Sequence, residues 1–142
     1  MEGLSKELPQ NSNAREVPAA QETQLQFALE AGRLGVWEYD VPTGRVRWSQ
    51  ILEEIHGLAP GTFGGTFEDY LSDVHPDDLS YVLDALKRTM DGGQEHHIEY
   101  RIILPDKQQR WVEGRGKVIR NATGQPIRLM GVCTDITARK QT

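Results

Sequence analysis

The sequence predicts an α+β domain: one five-stranded antiparallel sheet with helices packed on one face, and a further helix flanking it on the N-terminal side. Three observations predict it. Apolar and polar residues alternate on both sides of a turn in GVWEYDVPTGRVRWS, residues 35–49. Three more alternating runs, HHIEYRII, RWVEGRGKVIR and IRLMGVCTDIT, close the chain. Between the two groups, HPDDLSYVLDALKRTMDGG carries apolar residues at helical spacing.

Taken in order, residues 1–22 are rich in Gln, Asn, Glu, Ser and Pro and are expected to form a disordered or weakly helical tail. A helix is expected from Thr23, an acceptable N-cap, with Leu25, Phe27, Ala28, Leu29 and Ala31 as apolar surface and Gly32 or Gly35 as its end. Trp37 and Tyr39, then Val46 and Trp48, give a β-hairpin with one apolar face. Ser49 caps a short helix that buries Ile51, Leu52 and Ile55 and stops at Gly57. Thr66 and Asp69 stand at capping-box spacing before another. Pro76 suits the first position of the long helix, Asp77 and Asp78 its positive end, and Gly92 its close. Leu79, Val82, Leu83, Leu86 and Met90 form its stripe. In the last strands, Ile98, Tyr100 and Ile102 share a face, as do Leu129, Gly131 and Cys133. Trp111, Met130, Val132 and Ile136 are expected on the opposite sheet face.

The bulk numbers exclude several classes. The chain has 142 residues, 16 basic and 21 acidic, for a net charge of −5, so it lacks the clustered cations that nucleic acid requires. No apolar run approaches the ~20 residues that span a bilayer, and the N-terminus carries no apolar signal-peptide core. A lone cysteine, Cys133, forms no internal disulfide and fits a reducing compartment. A cytoplasmic setting is expected.

Six stretches then bear on family: GVWEYDVPTGRVRWS, LEEIHGL, VHPDDLSYVLDAL, EYRI, RWVEGRG and RLMGVCTDITARK. In that order they resemble the PAS domain, in the branch found in bacterial sensor histidine kinases and cyclic-nucleotide signalling enzymes. The resemblance covers residues 25 to 140, and the domain is expected to span 23–137. It departs from the family at LPDKQQRWV, where Asp-Gly is common before RWV. The resemblance implies a sensory or interaction module that is not an enzyme. It also implies a homodimer, and a covalently linked C-terminal effector reached through a connector beginning at residues 138–142. The effector implied is a histidine kinase or a cyclic-nucleotide enzyme, in a two-component or related system. Input would strain the sheet, and the last strand would pass that strain on through Asp135, Ile136 and Thr137. A normal hairpin register between the last two strands puts Asp135 near Arg110 or Val112, and an Asp135–Arg110 ion pair is expected to lock the exit.

A pocket on the inner sheet face is the alternative site. Gly114, Gly116 and Gly131 stand inside strands, where glycine marks close approach of a ligand or of a tightly packed helix. Trp37, Tyr39, Trp48, Ile51, Ile55, Leu86, Ile98, Tyr100, Leu129 and Cys133 would surround that space. A small molecule or a flavin-type cofactor is the alternative occupant; the sequence requires no cofactor and names none. Flavin photochemistry of the blue-light type is not expected. The Asn-Cys-Arg motif of such relatives is missing, and Cys133 stands where they place a Gln. Cys133 reads as a small buried hydrophobe.

The remaining polar residues read as structural. His75, Asp77 and Asp78 are explained by a helix start, and no nucleophile is linked to a base and an orienting group. The long helix has no histidine for haem. His96 and His97 point to opposite faces and do not chelate one metal together. The outer sheet face needs a cover, for which the N-terminal helix, through Leu25, Phe27 and Leu29, and a second copy of the domain are the candidates.

Overall fold

The computed structural model describes residues 19–141. The chain divides into two compact units, residues 1–32 and residues 33–142. The first contributes helix α1, Ala19–Ala31. It starts four residues ahead of Thr23; the first eighteen residues of the expected tail lie outside the described residues. Leu25 and Phe27 are 57% and 70% exposed. The helix ends with Gly32 N–H donating to Ala28 O, and Arg33 takes a left-handed conformation, φ 53°.

The second unit runs β1 (Gly35–Asp40), β2 (Arg45–Trp48), α2 (Gln50–Ile55), α3 (Phe67–Leu71), a 3₁₀ turn (Pro76–Asp78), α4 (Leu79–Gly92), β3 (His96–Ile103), β4 (Gln109–Arg120), β5 (Pro126–Asp135) and α5 (Thr137–Lys140). The five strands make one antiparallel sheet in the order β2-β1-β5-β4-β3. The central place of β5 joins the N-terminal hairpin to the C-terminal strands, so the chain's exit lies in the middle of the sheet.

Local chemistry explains the boundaries. Thr43 N–H and Oγ donate to Asp40 Oδ2 to close the first hairpin. The Ser49 side chain caps α2, and the Thr66/Asp69 capping box forms at α3. The long helix corrects the expectation at Pro76. Pro76 opens a 3₁₀ turn capped by the His75 side chain, and the α-helix begins at Leu79. Its buried face is also rotated from the expected stripe. Val82, Ala85 and Thr89 are buried, whereas Leu83 is 38% exposed.

At the departure before RWV, Lys107 occupies the left-handed position at φ 76°. The turn closes with Leu104 N–H donating to Gln108 O. A lysine fills the place that glycine adopts without strain.

Side chains at His96, Ile98, Tyr100 and Ile102 alternate inward along β3. Val82, Ile102 and Val112 are fully buried, each worth roughly 1.5–3 kcal/mol of apolar burial. Trp111, Met130 and Val132 are partly buried, while Ile136 lies beyond the strand and is buried at 7% exposure rather than standing on the outer face.

Candidate functional site

The strand glycines have different roles. A Cβ on Gly116 would stand 2.6 Å from the Trp37 indole, and one on Gly131 would meet both that indole and the carbonyl oxygen of Arg115. Trp37 is paired with Gly131 across β1 and β5, and Gly131 with Gly116 across β5 and β4. The indole lies over this glycine track and its Nε1–H donates to Val132 O at 3.2 Å. What the missing side chains admit is therefore Trp37, not a ligand or a helix. Gly114 differs: a Cβ there would find only Tyr100 Cε1, at 3.7 Å.

Beside Gly114 a cavity of about 60 Å³ opens between the sheet and the helices. Eight residues expected around the space line it: Trp37, Tyr39, Trp48, Leu86, Tyr100, Gly114, Leu129 and Cys133. Ile51, Ile55 and Ile98 belong to the surrounding core instead. Val46, Leu52, His56, Phe67, Tyr70 and His96 line it unforeseen. Several come from residues 52–70, a segment of short helices and loop with no long period to read. Trp48 organises this wall, stacked on Phe63 at 3.6 Å between ring centroids and against His56 at 4.2 Å. Glu53, buried on α2, holds the loop by accepting from Gly61 N–H and Phe63 N–H.

Among the described residues no carboxylate, lysine or arginine lines the cavity. Burial, helped by His97 and Arg88, pushes the His96 imidazole down to about 4, so the ring is neutral at pH 7. Burial raises the Tyr70 and Tyr100 hydroxyls above the ordinary phenol range, and Tyr70 donates to Tyr100 at 2.9 Å. Burial, then Asp135 and Glu113, pushes the Cys133 thiol up to about 12. Cys133 is a protonated wall group, as the small-hydrophobe reading expects.

The HPDD motif is structural in a more specific way than a helix start alone. The Asp78 carboxylate accepts from Arg101 Nη2 at 2.6 Å, from Nε at 3.0 Å and from the backbone N–H at 2.8 Å. That guanidinium holds the Asp78 carboxyl below its usual range despite partial burial. His75 and Asp77 serve the turn, where Asp77 N–H donates to His75 Nδ1. Among the described residues no group of three or more His, Cys, Asp or Glu is placed to hold a metal ion.

At the chain's exit, Asp135 pairs with Val112 across β4 and β5. Arg110 Nε stands 3.8 Å from Asp135 Oδ2, and Arg110 Nη1 donates to the carbonyls of Glu54 and Ile55, at 3.0 and 2.6 Å. Arg110 thus ties the last turn of α2 to the exit, a second attachment that register alone did not reveal. Asp135 Oδ1 accepts from the Thr137 N–H and hydroxyl. Thr137 Oγ accepts from Trp111 N–H, and Ile136 N–H donates to Trp111 O. Asp135, Ile136 and Thr137 fasten the start of α5 to β4. Beyond them, Arg139 and Lys140 reach Glu99 at 3.0 and 2.7 Å, and Lys140 Nζ sits 4.6 Å from the centroid of the Trp111 ring.

Comparison with known proteins agrees with this architecture. A family model described as the PAS fold matches residues 45–133. The sensor protein FixL of Bradyrhizobium diazoefficiens is 26% identical over 113 residues, covering 80% of this chain and 22% of the relative. A blue-light-activated histidine kinase of Brucella anthropi is 30% identical over 118 residues, covering 83% and 23%. The chain therefore spans under a quarter of the length of these curated relatives. A solved sensory box histidine kinase/response regulator from Burkholderia thailandensis superposes with a TM-score of 0.73 at 29% identity, covering 83% of this chain and 88% of that one. The N-terminal domain of a diguanylate cyclase with a PAS/PAC sensor, from Marinobacter aquaeolei, shares the fold at a TM-score of 0.69 and 22% identity, covering 75% and 98%.

Proposed function

Because the chain belongs to the PAS family, we propose that it senses at its inner-face cavity and regulates an effector C-terminal to it, a histidine kinase or a cyclic-nucleotide enzyme. The relatives are sensor proteins of those kinds. The observation that carries the reading is Arg110. It holds the carbonyl end of α2, the helix whose Leu52 lines the cavity, and it faces Asp135 where β5 ends. A displacement of α2 would pull on Arg110, loosen Asp135 and release Thr137 from β4.

The proposal includes a cytoplasmic setting and a homodimer built on Leu25, Phe27 and Leu29 of α1 or on Trp111, Met130 and Val132. Exposure of Leu25 and Phe27 supports the pairing. No helix among the described residues is long and apolar enough to cross a membrane.

A second reading, a flavin-type cofactor in the cavity, is favoured by the blue-light-activated relatives. Against it stands the size of the cavity. At about 60 Å³ it is under half of the ~150 Å³ that admits one benzene ring, so a three-ring flavin does not fit without displacing α2 or α4.

Hydrogen exchange tests the relay. Arg110→Met keeps the apolar stem and removes the charge. The amides of Ile136 and Thr137 are expected to exchange faster while those from Gly114 to Val118 keep wild-type protection. Unchanged exchange at Ile136 and Thr137 would remove Arg110 from the path.

A further inference from the structure

His56 is buried, 2% exposed, on the cavity wall. Its Nδ1 is 2.9 Å from Asp73 Oδ2. In the neutral ring the proton sits on Nδ1 and donates to that carboxylate, which leaves Nε2 with a lone pair directed away from Asp73. Trp48 fixes the ring from one side, at 4.2 Å between centroids. Asp73 is anchored in turn, its backbone carbonyl accepting from Ile103 N–H at 2.8 Å.

Among the described residues Nε2 has no hydrogen-bond partner, yet it is not among the side-chain atoms sealed from solvent without one. Among the described residues the buried side-chain nitrogen sealed without a partner is His96 Nδ1. His56 is 2% exposed and lines the cavity, and from this we infer that the space left to Nε2 is that cavity.

From this geometry, and resting on the reading of the cavity as the sensing site, we propose that the cavity binds a small uncharged hydrogen-bond donor. Its N–H or O–H is received by His56 Nε2, with Asp73 as the residue that positions the acceptor. The size of the space, about 60 Å³, limits the ligand to a few heavy atoms. The walls set the rest of the selectivity. Trp48, Tyr39 and Leu129 suit an apolar body, and an ionised ligand would be buried with no opposite charge among the lining side chains. Tyr70 donates to Tyr100, and the Nδ1 bond to Asp73 fixes the His56 tautomer, so His56 Nε2 is the acceptor whose lone pair the geometry assigns.

Two isomeric probes small enough for the space separate hydrogen-bond donation from apolar fit: ethanol, which donates, and dimethyl ether, which has the same atoms and does not. On ¹⁵N-labelled protein, long-range proton–nitrogen correlation should first show His56 Nε2 as an unprotonated ring nitrogen. Titration with ethanol should then shift His56, Gly114 and Cys133, with an apparent Kd about 2- to 12-fold below that of the ether, the worth of one net hydrogen bond. His56→Phe should erase the difference. Where that variant fails to fold, Asp73→Asn with a native amide spectrum decides, and it should narrow the gap by releasing the ring's tautomer. Equal affinity for the two isomers, a proton on Nε2, shifts outside the cavity, or no shift with either compound would overturn the proposal. The exchange experiment on Arg110→Met uses no added compound, so failure of the relay and failure of this ligand assignment read out separately.

Discussion

The two faces of the sheet are built from one set of strands and obey opposite rules. Inward, His96, Ile98, Tyr100, Val112, Leu129 and Cys133 are buried without a fixed charge, and aromatic rings line the cavity. Outward, Glu99, Glu113 and Trp111 meet Arg139 and Lys140 in a partly exposed lattice of ion pairs. The inner face is specified by shape and leaves little tolerance. The outer face is specified by charge, which water and salt weaken. The proposed function would use the division: a ligand in the cavity would be set apart from solvent, and the exit would be held by contacts weak enough to release. Arg110 and Asp135 stand where the two regimes meet, at the exit of β5.

The largest test of the inner face compares two of its glycines. Gly131→Ala drives a methyl into the Arg115 carbonyl and the Trp37 indole, and backbone does not retreat as a flexible side chain does. A loss of more than about 3 kcal/mol is expected, or failure to fold. Gly114→Ala meets only Tyr100, at ordinary contact distance, and should change stability by less than about 1 kcal/mol while narrowing the cavity. Urea denaturation of both variants checks the contrast; equal losses would mean that Trp37 does not distinguish the two positions.

The next effect comes from His96. Its imidazole titrates at 6.5 when unfolded and at about 4 in the fold. Between those values the unfolded chain binds more protons, so stability is full above pH 6.5 and declines as pH falls towards 4. The loss should approach roughly 3 kcal/mol. Asp78, held low by Arg101, adds a loss of the same sign at lower pH. Denaturation midpoints across pH 4–7 for wild type and His96→Leu would isolate the histidine, since the variant should lack most of the slope between pH 6.5 and 4.

These experiments touch residues that the sequence revealed unequally. Alternation is a local property, so the five strands and their inward sets were legible, and a hairpin register narrowed the partner of Asp135 to Arg110 or Val112, of which the structure pairs Val112. The Asp135–Arg110 contact was legible for the same reason. The Trp37–Gly116–Gly131 arrangement was half legible: glycine in a strand announces close approach, but which group approaches depends on an indole crossing two neighbouring strands. Leu83 failed because the face that α4 turns inward carries Val82, Ala85 and Thr89, and residue size alone does not say which face of a helix is buried. His56 and Asp73 were invisible as a pair. They are 17 residues apart on segments without a long period, and they meet through tertiary packing, with Trp48 against the imidazole on the cavity wall.

The smallest effect belongs to the outer face. Glu99 accepts from Lys140 and Arg139, and Lys140 first, then Arg139, holds its carboxyl below the usual range against the opposing effect of desolvation. Because the group is exposed to water, Glu99→Gln should leave global unfolding almost unchanged. Its effect should be local, raising amide exchange at Lys140 by no more than about fivefold, as for a partly exposed ion pair. Lys140 N–H bonds to Ile136 O, so its exchange reports the seating of α5. Added salt should produce the same acceleration in wild type and none beyond it in the variant, because screening and neutralisation remove the same attraction. If Gly131→Ala and Glu99→Gln instead destabilised the fold alike, the outer lattice would be part of the rigid scaffold, and release of α5 would need a stronger input than a small ligand supplies.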